Sequence, residues 1–126
     1  RTDHLVKPTY HNVLPLSYYE EALSKLPSVH DSCEIPVLVF SDDPVWCKEQ
    51  ELFSSNRFMV SESGDNITDM CLMSMCDYQI MANSTFSWWG AWLSGSERVI
   101  GPKMWFGPDG ADPTDIFLDR WEYLDV

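Results

Sequence analysis

Apolar positions along the chain fall into short runs separated by polar connections. Residues 36–40, Pro-Val-Leu-Val-Phe, form a continuous apolar run rich in β-branched side chains, the pattern of a strand covered on both faces. The run stops at Ser41-Asp42-Asp43. Pro44 suits a first helical position with Asp43 as its cap, and residues 45–53, apolar at near-helical spacing, predict a helix. The same unit then repeats. Residues 57–60 read as a strand and 61–66 as a loop, and 67–76 place Ile67, Met70, Cys71, Leu72 and Met75 mostly on one side of a helix. Residues 78–82 predict a third strand, 86–93 a strongly apolar helix and 98–101 a fourth strand. Ahead of these units, residues 16–26 predict a helix in which Ser17 caps the first turn and Glu20 reaches back to it. Behind them lies a Gly- and Pro-rich loop from 102 to 115, and residues 115–123 are expected to form a terminal helix. Strands and helices alternating at this spacing predict one three-layer α/β domain, with a parallel sheet and right-handed crossovers.

Composition narrows the function. The chain has 126 residues, about one domain's worth, with 44% hydrophobic and 22% charged residues. Its net charge of −12 repels phosphate backbones, so no nucleic-acid partner is expected. No window holds the 18 consecutive apolar residues of a membrane span. The chain begins on Arg1-Thr2-Asp3 without a methionine, which is read as truncation. Cys33, Cys47, Cys71 and Cys76 form no Cys-x-x-Cys pair, and His4, His11 and His30 all precede Cys47. No zinc site is expected, and the cysteines are read as reduced thiols packed like small hydrophobes.

Candidate chemistry gathers where loops hand strands to helices, since ligands in open α/β sheets bind beyond the carboxyl ends of the strands. At Asn83-Ser84-Thr85, hydroxyls and unpaired helix amides converge beside Trp, Phe and Ala, a setting that suits phosphate; the competing reading is ordinary capping by Asn83 or Ser84. Asp69, at the start of the preceding helix, either completes a capping box with Asn66 or accepts from the ring N–H and exocyclic amine of guanine, a bidentate pairing adenine cannot supply. Asp42-Asp43 lacks the Asp-x-Asp spacing of a metal site, because adjacent carboxylates on a strand end point to opposite sides. Trp88, Trp89 and Trp92 are read as core, with a sugar-stacking platform as the alternative.

Asp69 to Asp77, running into Ile80-Met-Ala-Asn83-Ser84-Thr85-Phe86-Ser87-Trp88-Trp89-Gly90-Ala91-Trp92-Leu93, resembles the third signature block of bacterial α-1,2-fucosyltransferases of glycosyltransferase family 11. Val39-Phe-Ser-Asp42-Asp43-Pro-Val-Trp46 resembles the second block, and Val99-Ile-Gly-Pro102-Lys103-Met-Trp105-Phe106 the closing one. His11 to Tyr19 resembles the stretch before the family's first helix, and Arg1-Thr2-Asp3 is similar to the end of its first block, His-x-Arg-Arg-x-Asp.

The resemblance implies the donor-binding, Rossmann-like half of a GT-B glycosyltransferase. Residues 1–126 would be its carboxyl-terminal GDP-fucose-binding domain, truncated, with the amino-terminal acceptor part absent. It implies inverting transfer of fucose from GDP-fucose to a galactose-containing acceptor in α-1,2 linkage, with no cofactor and no metal. Asp69 is assigned to guanine, and Ser84, Thr85 and Phe86 to the diphosphate or fucose; Arg1 and Asp3 shape the same pocket. For the general base, Asp3, His4 and His11 lie near the right end of the chain, with Asp3 and His11 put forward. The alternatives are a non-catalytic GDP-sugar or glycan-binding module and a transferase for another GDP-sugar. A cytoplasmic bacterial protein is implied, with room for peripheral association at the inner membrane face, so Asn66-Ile-Thr68 and Asn83-Ser84-Thr85 are read as accidental glycosylation sequons. The 126 residues alone are expected to have little or no transferase activity.

Overall fold

The computed structural model describes residues 9–27 and 34–126. Its elements run α1 (Leu16–Ser24), β1 (Val37–Val39), α2 (Pro44–Glu49), β2 (Phe58–Val60), α3 (Asn66–Ser74), β3 (Gln79–Ile80), α4 (Thr85–Ser94), β4 (Val99–Pro102) and β5 (Glu122–Leu124). Every strand pair is parallel: β1 with β2, β3 with β4, and β4 with β5. The α/β alternation therefore stands, in strands of two to four residues. They form two sheets, β1-β2 and β3-β4-β5, rather than one continuous ladder.

Side-chain alternation along the three-stranded sheet builds a core on each face. On one face Ile80, Ile100 and Leu124 meet Tyr18 and Ala22 of α1. On the other, Met81 and Val99 pack with Ala91 of α4, Trp105 and Trp121. This sheet is thus the middle of three layers. The Tyr18 hydroxyl, buried, donates to the Met81 carbonyl at 2.7 Å and so ties α1 to the end of β3. Helix α3 lies against α4 at Gly90, where a Cβ would come within 2.8 Å of Met73 Sδ and 2.9 Å of Met73 Cβ.

Four details depart from the pattern's expectation. The 115–123 segment is no helix: after a single 3-10 turn at Thr114–Ile116 the chain extends into β5, with Ile100 opposite Glu122 and Pro102 opposite Leu124. Trp121 and Leu124 are buried, Tyr123 and Leu124 face opposite cores, and the Leu118 N–H donates to the Tyr123 hydroxyl at 2.8 Å. The second helix stops at Glu49, because Gln50 is extended (φ −82°, ψ 132°), and residues 51–53 form a separate 3-10 turn. Asp43 does cap it, accepting from Trp46 N–H at 2.9 Å. Ser17 does not cap α1: Leu16 is already helical and Pro15 stands at the cap position, so Ser17 lies within the first turn. Finally, only Trp88 of the three helix tryptophans joins the core; Trp89 and Trp92 are 49% and 45% exposed and meet edge to face. Cys47, Cys71 and Cys76 are free thiols, but only Cys47 is packed like a small hydrophobe, Cys71 being exposed and Cys76 half-buried just after α3; Cys33 lies outside the described residues. Among the described residues, no helix is long and apolar enough to cross a membrane.

Candidate functional site

The carboxyl ends of β2 and β3 lead through short loops into α3 and α4, and because the carboxyl ends of these two packed helices line one common opening, their amino ends lie together at the other end. Met73 lies four residues beyond Asp69, and Gly90 five beyond Thr85. At 1.5 Å per residue these are rises of about 6 and 7.5 Å, so the close contact of Met73 with Gly90 brings the turns bearing Asp69 and Thr85 to similar height on neighbouring helices.

Asp69 is not consumed by capping. The cap of α3 is Asp65, whose carboxylate accepts from the Thr68 hydroxyl at 2.6 Å, the Thr68 N–H at 2.9 Å and the Ile67 N–H at 3.4 Å. Those bonds, the Thr68 hydroxyl first, hold the Asp65 carboxyl below the usual carboxylate range. The capping box of Asp69 with Asn66 is therefore absent, because Asn66 is already the first helical residue. Asp69, half-buried, instead accepts from Ser61 Oγ at 2.6 Å and Ser63 Oγ at 2.8 Å. Both bonds fall on Oδ1; Oδ2 takes part in neither.

The start of α4 likewise differs from ordinary capping. Ser84 holds the extended cap conformation, but its side chain makes no cap bond. Asn83, buried, turns its amide away from the helix, donating to the Asn12 carbonyl at 2.7 Å and the Trp105 carbonyl at 3.0 Å. The capping reading of Asn83 and Ser84 is thus replaced by a tether: Asn83 ties the segment before α1 and the loop after β4 to the mouth of α4. The opening amides of α4 keep their partial positive charge with no side-chain cap on them. Thr85, the first helical residue, is exposed, and Phe86 and Ser87 are half-buried. Ser87 Oγ donates back within the turn to the Ala82 and Ser84 carbonyls.

His11, adjacent to Asn12, pairs across an isolated antiparallel bridge with Phe106 and packs its ring 4.8 Å from that of Tyr10. The Asn12–Asn83 bond brings this segment to the same end as α4's first turn. Arg1, Asp3 and His4 lie outside the described residues. Lys103, at the carboxyl end of β4, is exposed and its Nζ lies 2.8 Å from Asp125 Oδ2. Asp43 serves the cap of α2, and among the described residues no group of three or more His, Cys, Asp or Glu could hold a metal ion.

Beside Thr85 opens a cavity of about 200 Å³, lined by Thr85, Trp88, Trp89, Trp105, Asp115 and Ile116. Asp69, Ser84 and Phe86 do not line it. Asp115 and Trp105 thus belong to the site's surroundings without having been singled out from the sequence as site residues. The available signal was an acid in the Gly- and Pro-rich loop that follows the last apolar run. A second opening, of about 380 Å³, lies between the carboxyl ends of α3 and α4, at the opposite pole.

The family model for glycosyl transferase family 11 matches residues 1–125. Among curated proteins, the chain is 38% identical to the Escherichia coli O-antigen biosynthesis glycosyltransferase WbnK over 96% of its own length and 41% of that protein's. It is 35% identical to an Escherichia coli alpha-1,2-colitosyltransferase, over 88% of this chain and 39% of the relative. To the galactoside alpha-(1,2)-fucosyltransferase 1 of Leontocebus fuscicollis it is 30% identical, over 83% of this chain and 30% of the relative. The chain therefore spans about two-fifths or less of the length of these relatives. No solved structure gives a significant match.

Proposed function

The chain belongs to glycosyl transferase family 11, and from that membership we propose that it is the donor-binding, Rossmann-like part of an inverting α-1,2-fucosyltransferase of GT-B architecture. The donor is GDP-fucose and the acceptor a hydroxyl of a galactose-containing glycan. In this reading Asp69 accepts from the guanine N1–H and exocyclic amine, while Ser84, Thr85 and the opening amides of α4 receive the diphosphate. Phe86 borders the same turn, and Arg1 and Asp3 shape the pocket. Transfer requires the acceptor oxygen to attack the anomeric carbon in line as the bond to GDP breaks. A base, Asp3 or His11, takes the hydroxyl proton, and the α4 amides stabilise the charge growing on the departing diphosphate.

The observation that carries this proposal is the state of Asp69: relieved of capping by Asp65 and oriented by two serine hydroxyls on one oxygen. Oδ2, which takes part in neither bond, is the oxygen presented to guanine, and pairing with both N–H donors requires Oδ1 to release a serine hydroxyl. A transferase for another deoxysugar is the second reading, favoured by the similarity to a colitosyltransferase.

The test is titration of GDP and ADP into the wild type and Asp69→Ala. The substitution is expected to weaken GDP by about 1.5–3 kcal/mol, the range for a charge-assisted pair, and to leave ADP nearly unchanged. Equal weakening of both nucleotides would remove the guanine assignment and with it this reading of the site.

A further inference from the structure

Peptide groups along a strand point alternately to its two edges, so pairing on one side identifies the residues that face the other. In β1 the Val37 N–H donates to the Arg57 carbonyl at 2.9 Å and the Val39 carbonyl accepts from the Ser61 N–H at 2.8 Å, both on the β2 side. Leu38 therefore turns its N–H and carbonyl to the opposite edge. The Gln79 N–H donates to the Arg98 carbonyl at 3.0 Å and the Met81 N–H to the Ile100 carbonyl at 2.8 Å, both on the β4 side, which leaves Ile80 of β3 facing away. Among the described residues, no backbone group pairs with Leu38 or Ile80 on these outward edges. Both strands are half-buried, whereas β4, flanked on both sides, is buried at every position.

Crossover handedness sets how the two open edges lie. Strands β2 and β3 feed α3 and α4, which pack side by side with their carboxyl ends at one opening, so the two sheets run in the same direction. Helix α4 covers the Met81 face of its sheet and α1 the Ile80 face, where Tyr19 lies beside Cys47 of α2. Helix α2 thus shares the face of α1, opposite α4. Parallel β-α-β units are right-handed in about 98% of cases. With the two crossover helices on opposite faces, β2 steps off β1 in one direction and β4 steps off β3 in the other. The order is then β2, β1, an interval, β3, β4, β5, and the edges of Leu38 and Ile80 are turned towards each other. Helix α1 roofs that interval, meeting Ile80 through the core around Tyr18 and α2 through Tyr19. One strand in the interval would set β1 and β3 apart by twice the strand spacing, about 9.6 Å, which one helix about 10 Å across can cover.

We infer that the open edges at Leu38 and Ile80 receive one further parallel strand, an apolar segment from outside these 126 residues, which joins the two sheets into one. Its side chains alternate between α1 on one face and α3 and α4 on the other, so the segment is apolar throughout, over about five residues. The source is at hand in the family, since the part of WbnK matched by this chain is 41% of that protein. Strand order reverses across the added strand, and ligands of open α/β sheets bind beyond the carboxyl ends at such a reversal. The segment therefore completes the edge on which Asp69 and Thr85 lie. This rests on the sheet topology and not on the nucleotide assignment.

Amide hydrogen exchange followed by NMR tests it, comparing the 126-residue chain with a chimera in which the WbnK residues preceding its matched segment are joined to Arg1. In the chain alone, the Leu38 and Ile80 amides are expected to exchange at least about tenfold faster than the bonded Val37 and Met81 amides. In the chimera both should slow together by at least about tenfold, at every protein concentration. Leu38→Pro in the chimera removes the donor facing the interval and should restore fast exchange at Ile80. Should that variant unfold, a proline in the middle of the added segment makes the same test with all 126 residues intact. Slow exchange of both amides in the chain alone overturns the proposal, because this chain then fills its own interval. Slowing of one amide without the other, or of neither, overturns the shared strand. Protection that rises with protein concentration assigns the edges to a second copy and overturns it as well.

Discussion

Tyr18 joins two layers through one oxygen, and that bond sets how the protein answers alkali. Its hydroxyl donates to the Met81 carbonyl at 2.7 Å, and burial, with Tyr19 adding to it, pushes the phenol far above the usual tyrosine range. Tyr19 is itself pushed up to about 12, by burial first and then by Cys47. A folded-state value above the unfolded one means the native protein keeps a proton that the unfolded chain gives up. The stability is therefore whole below pH 10 and is lost as pH rises from there through the folded value. Urea midpoints are expected to fall between pH 9.5 and 11, and Tyr18→Phe should fall less over that interval. At pH 7 the same variant should lose about 1 kcal/mol, the worth of an ordinary buried hydrogen bond. Identical alkaline slopes in wild type and variant would show that Tyr18 is not the group responsible. Asp69 gives the other lesson at this scale. Its place in the first turn of α3 was legible from the sequence, but its two serine partners were not, because they come from loop residues whose path no periodicity encodes. Asp65 took the cap that Asn66 was expected to share, since an aspartate one residue earlier outcompetes it for the Ile67 and Thr68 amides.

Elements were legible where local pattern and burial agree. The apolar run opening at Val99 became a strand buried along its whole length, whereas Val37–Val39 became a strand whose residues are only half-buried, so the expected cover on both of its faces is not there. β5 was not legible, because its partner is remote: Glu122–Leu124 is extended by pairing with Pro102 and its neighbours, a constraint absent from the local alternation of acids and aromatics. The contact between α3 and α4 was equally invisible, since it depends on a missing side chain. Gly90 within α4 costs helix stability by itself, roughly 1 kcal/mol against alanine. Gly90→Ala should nevertheless destabilise the protein by about 1–3 kcal/mol, as overpacking does, because the new methyl meets Met73 Cβ, which cannot swing aside as Sδ can. Thermal denaturation checks the stability. GDP titration checks the corollary that a wedge between the helices parts the turns bearing Asp69 and Thr85 and weakens the nucleotide. A variant as stable as the wild type would mean that the helices are not packed this closely.

At the scale of the whole chain, the proposed nucleotide site would work against the chain's own charge. The described cations are all engaged: Lys25 with Glu122, Lys48 with Glu62, Arg57 with Glu34, Lys103 with Asp125, Arg98 with the Tyr78 hydroxyl, and Arg120 over the Trp121 ring. They sit within a chain of net charge −12. On the proposed reading, an anionic nucleotide approaches through a repulsive field to reach a helix mouth whose attraction is local. For a chain of this size the radius of gyration is ~14 Å. The screening length is ~30 Å at 0.01 M salt, longer than that radius, and falls to under ~10 Å above 0.1 M. Low salt therefore lets the whole −12 act on the nucleotide, and higher salt leaves chiefly the α4 amides and Asp69. GDP affinity is expected to rise several-fold between 10 and 300 mM NaCl, the reverse of a basic phosphate-binding site. Urea midpoints measured at both salt concentrations separate the field from any salt-dependent change in the fold. Affinity for GDP that falls with salt would mean that local positive charge dominates. Lys103 is the group to examine then, because leaving Asp125 would free its ammonium at the carboxyl end of β4, and Lys103→Gln should flatten the dependence.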